Sequence, residues 1–79
     1  MQDRLLKYVT DRSSIGAGDL RLDTPLFSEG LLDSLVVLDL VALIEKESGI
    51  TFAVSEINLD NLDSVERILA FIATKRSGS

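Results

Sequence analysis

Residues 30–49 read GLLDSLVVLDLVALIEKESG. Between the two glycines, apolar residues recur at three- and four-residue spacing, the pattern of a helix. Asp33 or Ser34 supplies a start, because a short polar side chain can accept from the free N–H groups of a first turn. Gly49 supplies a stop. The helix is therefore predicted from Asp33 or Ser34 to about Ser48, with Leu35, Leu38, Val41, Ala42 and Ile44 as its buried stripe. Val36, Val37, Leu40 and Leu43 lie partly off that stripe, so the helix is apolar around more of its circumference than a surface helix needs. Part of it is expected to be a contact face.

Upstream, Leu5, Leu6, Tyr8 and Val9 fall at near-helical spacing among Asp3, Arg4, Lys7 and Asp11, predicting a first amphipathic helix from Gln2 to about Arg12. Ser13, Ser14, Gly16 and Gly18 end it and open a long connection. Ile15, Leu20, Leu22, Leu26 and Phe27 are placed to pin that connection down, so an ordered loop is expected. Thr24-Pro25 reads as the start of a single helical turn, with proline at its first position. Downstream, Ile50-Thr51-Phe52 alternates like an extended segment, and Ser55 to Asn58 suits one short turn. Val65, Ile68, Leu69 and Ile72 then mark a last helix. Asp63 and Glu66 have the spacing of a capping box at its start, and Lys75 and Arg76 suit its C-terminal dipole. The expected fold is all-α: a small four-helix bundle of three longer helices and one short one, with a long loop between helices 1 and 2. Residues 1–76 form the single domain, and 77–79 a flexible tail.

Composition narrows the function. A chain of 79 residues has room for one small core, burying only about 60% of its unfolded surface. With 46% apolar and 27% charged residues it has the make-up of an ordinary globular protein. Cysteine and histidine are both absent, which removes thiolate metal sites and the usual nucleophile–base pairs and argues against an autonomous hydrolase. The formal charge of -5 argues against nucleic acid and for protein partners with basic surfaces. The N-terminus lacks the pattern of a secretory signal, and the apolar run from Leu35 to Ile44 is too short to span a bilayer. A cytoplasmic monomer without membrane insertion is expected.

The functional stretch is Phe27-Ser28-Glu29-Gly30-Leu31-Leu32-Asp33-Ser34-Leu35, a loop that ends in Asp-Ser-Leu at the head of an apolar helix. An isolated Asp-Ser-Leu is usually no more than a helix cap. Here it stands as G-x-x-D-S-L after a first helix and a long loop. The helix that follows closes on an E-x-E-x-G-I run, and Asn61-Leu62-Asp63-Ser64-Val65 opens the last helix. Across nearly its whole length the chain resembles the acyl carrier protein family.

The resemblance implies a covalent 4'-phosphopantetheine on Ser34, attached from coenzyme A by a phosphopantetheinyl transferase. It also implies a non-catalytic carrier whose partners are acyl- or aminoacyl-loading and transfer enzymes. The chemistry of the position agrees: a serine in a first helical turn sits near unpaired N–H groups and the positive end of the dipole, which tolerate a phosphodiester. Gly30 permits a tight or left-handed backbone and leaves room for an enzyme to approach. Asp33 has two readings, as a helix cap or also as a ligand for the magnesium used by the modifying enzyme. Leu35 completes the motif. Ser64, in the near-copy Asp63-Ser64-Val65, lacks the glycine loop and reads as structural.

Five acids, Glu29, Asp33, Asp39, Glu45 and Glu47, stand in residues 29–48 against Lys46 alone. A solvated helix face is the plain reading of such charge. The family docks its second helix on basic patches, which implies docking roles for Asp39, Glu45 and Glu47. Val36 and Val37 stand where fatty-acid-synthesis relatives often carry polar residues; either one, if exposed, would add an apolar recognition patch. Ser48 stands where the family often has an aromatic residue. Gly30-Leu31-Leu32-Asp33-Ser34 looks most like stand-alone carriers of polyketide, nonribosomal-peptide or D-alanine pathways, with a fatty-acid carrier as the alternative. An unmodified helical adaptor is the competing reading from another class.

Overall fold

The computed structural model describes every residue except Ser14, Ala17 and Ser79. Four α-helices follow in order: α1 (Gln2–Arg12), α2 (Val36–Ser48), α3 (Leu59–Leu62) and α4 (Val65–Gly78), with a 3-10 turn at Val54–Glu56 and no strand among the described residues. The expected all-α bundle with a long first loop is what the chain adopts. Helix α4 packs against both α1 and α3. The core draws Leu5 and Val9 from α1, Leu40, Val41 and Ile44 from α2, Leu62 from α3, and Val65, Ile68 and Ile72 from α4.

The sides of α1 and α4 follow the expected pattern, but α2 does not. Its buried stripe is Leu40, Val41 and Ile44, with Val36 and Val37 half-buried against the core. Leu35 is 83% exposed and Leu38 71%, and Ala42 also faces water, so the expected stripe through Leu35, Leu38 and Ala42 is overturned. The physical reason lies in the polar residues. Asp39 and Lys46, seven apart, share one side of a helix, and Leu35 and Ala42 lie on that same side. Solvating the two charges turns the two apolar residues outward with them.

The region before α4 also differs from expectation. The last helix is preceded by a separate turn of helix, α3, whose N-cap Asn58 accepts from Asn61 N. Ile50 and Phe52 are buried on either side of exposed Thr51, as their alternation suggests. Phe52 stacks on Phe71 with ring centroids 4.8 Å apart. Its amide donates to Glu45 Oε2 at 2.8 Å. Ser48 is half-buried and its hydroxyl donates to Ile44 O, so the aromatic packing at this end comes from Phe52 and Phe71.

No helical turn starts at Thr24-Pro25. The turn there comes earlier, closed by Thr24 N on Arg21 O at 3.2 Å and by Arg21 N on Thr24 Oγ1 at 2.8 Å, so Thr24 ends it. At the far end α4 runs past Arg76 to Gly78, with Ser77 Oγ donating to Ala73 O at 2.8 Å. Of the expected tail 77–79, Ser79 lies outside the described residues.

The long loop is ordered by a small number of bonds to the α3–α4 junction. Glu66 N, one of the unpaired donors at the head of α4, gives its hydrogen to Leu22 O at 2.9 Å. Leu26 N donates to Asp63 O at 2.7 Å, and the Leu26 side chain is fully buried. A further closure, Leu32 N to Leu26 O at 2.7 Å, sets Leu32 into the core as well. The chain is thus anchored one residue before Asp33.

Candidate functional site

Ser34 is exposed, two residues beyond the buried Leu32 and six before the buried Leu40. Anchors on both sides hold it out from the core without leaving it on a free loop. The turn at Ser34-Leu35 leads into α2, which begins at Val36 and not at Asp33 or Ser34. It is closed by Val36 N on Asp33 O at 2.9 Å and Val37 N on Ser34 O at 3.2 Å, three-residue bonds that tighten the helix entrance.

The N-cap of α2 is Leu35, so Asp33 does not cap the helix; its carboxylate closes the turn that precedes it. Its Oδ1 accepts Leu35 N at 3.0 Å, and Ser34 Oγ lies 3.4 Å from the same oxygen, a long and weak contact. The hydroxyl therefore keeps its lone pairs, and with no histidine in the chain it has no strong base beside it. Gly30, with φ of +79°, takes the left-handed conformation that closes the turn Phe27–Gly30, its N donating to Phe27 O at 3.1 Å. Among the described residues, no atom beyond those of Gly30 and its two chain neighbours lies within 4 Å of where its side chain would be, so the approach to the loop is open.

The expected docking residues do not share one face. Asp39 is exposed on the outward side of α2 beside Leu35, Leu38, Ala42 and Lys46. Glu45 is half-buried and bound to the Phe52 amide. Glu47 pairs with Arg4 of α1 at 3.3 Å. Val36 and Val37 are both half-buried, so neither supplies an exposed patch; the apolar surface beside Ser34 is Leu35 and Leu38. The seven-residue spacing of Asp39 and Lys46 was the signal in the sequence that identifies this face.

Asp63 was expected to cap α4 and does something else. Helix α4 starts at Val65, so Ser64 is its cap, accepting Arg67 N at 3.1 Å while only 4% exposed. Asp63, one residue too early for a capping box with Glu66, turns its carboxylate to the long loop. Its Oδ1 accepts Phe27 N at 2.8 Å and Ser28 N at 2.9 Å. Partial burial raises the pKa of this carboxyl, but the hydrogen bonds from Ser28, Phe27 and Leu26 outweigh it and hold the group below its usual range. Elsewhere, Glu56 is lowered first by the Ala53 amide and then by Lys75, whose Nζ lies 3.0 Å away. That pair ties the 3-10 turn to α4.

The residues present fit a phosphopantetheine: an exposed hydroxyl, open space at Gly30, and a helix entrance beside it. Among the described residues no group of three or more His, Cys, Asp or Glu side chains is placed to hold a metal ion, and no helix is long and apolar enough to cross a membrane. The chain matches the family described as phosphopantetheine attachment site over residues 3–72. It is also similar to the probable acyl carrier protein PigG of Serratia sp. (strain ATCC 39006), 27% identical over 73 residues, 91% of this chain and 84% of that one. The chain therefore belongs to the acyl carrier proteins that bind phosphopantetheine covalently.

Proposed function

We propose that Ser34 carries the phosphopantetheine and that the chain is a discrete, non-catalytic carrier of acyl or aminoacyl units in polyketide or nonribosomal-peptide secondary metabolism. The observation that carries the site is Ser34 itself: an exposed hydroxyl at a helix entrance, fixed between the buried Leu32 and Leu40. When bound, the group supplies a thiol that holds its cargo as a thioester, the sulfur nucleophile that this cysteine-free chain lacks. In the attachment, Ser34 Oγ bonds to the phosphorus next to the pantetheine arm and the pyrophosphate bond of coenzyme A breaks. The adenosine bisphosphate half leaves. The hydroxyl proton passes to a base of the transferase; within this chain the Ser34 hydroxyl makes only a weak 3.4 Å contact with the Asp33 carboxylate. The same carboxylate is exposed and is available to a magnesium ion brought by that enzyme.

Partner enzymes dock on the outward side of α2. Leu35, Leu38 and Ala42 give it an apolar strip, and Asp39, with Asp33 and Glu29 on the adjoining loop, gives it acidic character. A small surface of this kind suits weak, reversible association with several enzymes in turn, with charge setting the rate of encounter. Val36 and Val37 contribute by holding the helix against the core. The pathway rests on the likeness of Gly30-Leu31-Leu32-Asp33-Ser34 to stand-alone carriers and on the likeness to PigG of Serratia, a bacterial protein. A bacterial, cytoplasmic, monomeric carrier is the reading that follows. Incubation with coenzyme A and a broad-specificity phosphopantetheinyl transferase tests it by intact mass. A gain of one phosphopantetheine that is lost in Ser34→Ala is expected, and no gain would sink it.

A further inference from the structure

Residues 26–32 form a loop closed on itself by Leu32 N on Leu26 O at 2.7 Å and Gly30 N on Phe27 O at 3.1 Å. It leads directly into Asp33 and Ser34. Among the described residues, each hydrogen bond from this loop to another element ends on Asp63: Leu26 N on its carbonyl, Phe27 N and Ser28 N on its Oδ1. Within the loop Leu26 and Leu32 are buried and Phe27 and Leu31 pack partly against the core, but apolar contacts carry no direction. Apart from the main-chain bond of Leu26 N to Asp63 O, the directional hold on the turn bearing Glu29 and Gly30 comes from one carboxylate more than thirty residues away in sequence.

Building on the assignment of Ser34 above, we propose that Asp63 is a positioning residue for the modification of Ser34, holding the preceding loop in the one arrangement a transferase can engage. The near-repeat Asp63-Ser64-Val65 is then a support for Asp33-Ser34-Leu35: its serine caps its own helix, while its aspartate fixes the approach to the other serine. Without the carboxylate, the Phe27 and Ser28 amides bond to water and the loop samples other arrangements. Only the competent fraction is then recognised. Apparent affinity falls by that fraction, while the chemical step, once the complex forms, is unchanged. A rise in KM without a fall in kcat is the signature.

The test measures kcat and KM for transfer of phosphopantetheine from coenzyme A by a broad-specificity transferase, at a temperature where circular dichroism shows every variant folded. For Asp63→Ala the KM of the carrier is expected to rise about tenfold, with kcat within about twofold of the parent. Asp63→Asn, whose side-chain oxygen can still accept both amides, is expected to recover most of the loss. Ser64→Ala, which removes the α4 cap and leaves the latch, is expected to keep the parental KM despite lower stability. Asp63→Glu displaces the acceptor by one methylene; its intermediate rise serves if alanine unfolds the chain. Parental KM in Asp63→Ala or Asp63→Glu, with the Phe27 and Ser28 amide shifts showing the bonds lost, would overturn the proposal, as would an equal rise in Ser64→Ala. If the parent chain gains no phosphopantetheine, the assignment of Ser34 fails first, and the positioning role with it.

Discussion

The orientation of α2 decides which residues a partner meets, and a pair of leucines two positions apart tests it. Leu40 is fully buried among the core residues, and Leu38 is 71% exposed. Truncating a fully buried leucine to alanine costs about 2–5 kcal/mol, from lost transfer energy and from the cavity left behind. A 79-residue domain has a total stability of only about 4–12 kcal/mol, so a middle value of about 3 kcal/mol is a large part of it. With an unfolding entropy of about 2.1 cal/mol/K per residue, roughly 0.17 kcal/mol/K for the chain, that loss lowers Tm by about 18 °C. Leu38→Ala removes little buried area and improves helix propensity slightly, so its effect is expected within about 0.5 kcal/mol. Thermal unfolding followed by circular dichroism at 222 nm, with urea titration for the free energies, reads both. Equal losses in the two variants, or a larger loss in Leu38→Ala, would refute the outward face and restore the stripe through Leu35 and Leu38. Leu38→Asp extends the test to docking: its Tm should stay close to the parent while its KM for a transferase rises.

Gly30→Ala meets no steric clash but must adopt the left-handed backbone, so a loss of about 1–2 kcal/mol is expected in urea unfolding, and a neutral result would contradict the positive φ. Asp63 has a folded-state pKa below its unfolded value. Its contribution is therefore fully present above the ordinary carboxylate range and is lost as pH falls through the folded pKa. The Tm gap between the parent and Asp63→Ala should accordingly narrow below about pH 4. A gap that widens in acid would mean the carboxylate is not the latch. For Glu56, Lys75→Met should move the titration seen by NMR only part of the way back to the ordinary range, because the Ala53 amide, the larger cause, remains.

Helix α1 was legible from Gln2 to Arg12 because its charges and its apolar residues divide cleanly between two sides. Helix α2 was legible in extent but not in orientation. With apolar residues nearly all round, its stripe is chosen by which positions must be wet, and Asp39 and Lys46 carry that information more firmly than any count of leucines. Ser34 could be picked out because glycine, aspartate, serine and the helix that follows are contiguous. The role of Asp63 could not. Its partners, Phe27 and Ser28, are backbone amides of a loop 36 and 35 residues earlier, and nothing about a phenylalanine or a serine in sequence announces a free N–H. What was visible locally, an aspartate three residues before a glutamate, pointed instead to a capping box that Ser64 pre-empts. The Thr24-Pro25 turn failed for a similar reason: the residue that closes it, Arg21, lies upstream of the proline.

Ser34 as the point of attachment is tested by locating the added mass. The chain is loaded from coenzyme A by a broad-specificity transferase, digested, and its peptides fragmented to place the phosphopantetheine on a residue. The mass is predicted on Ser34, with Asp63-Ser64-Val65 unmodified. Phosphopantetheine found on Ser64, or on no residue at all, would rule Ser34 out.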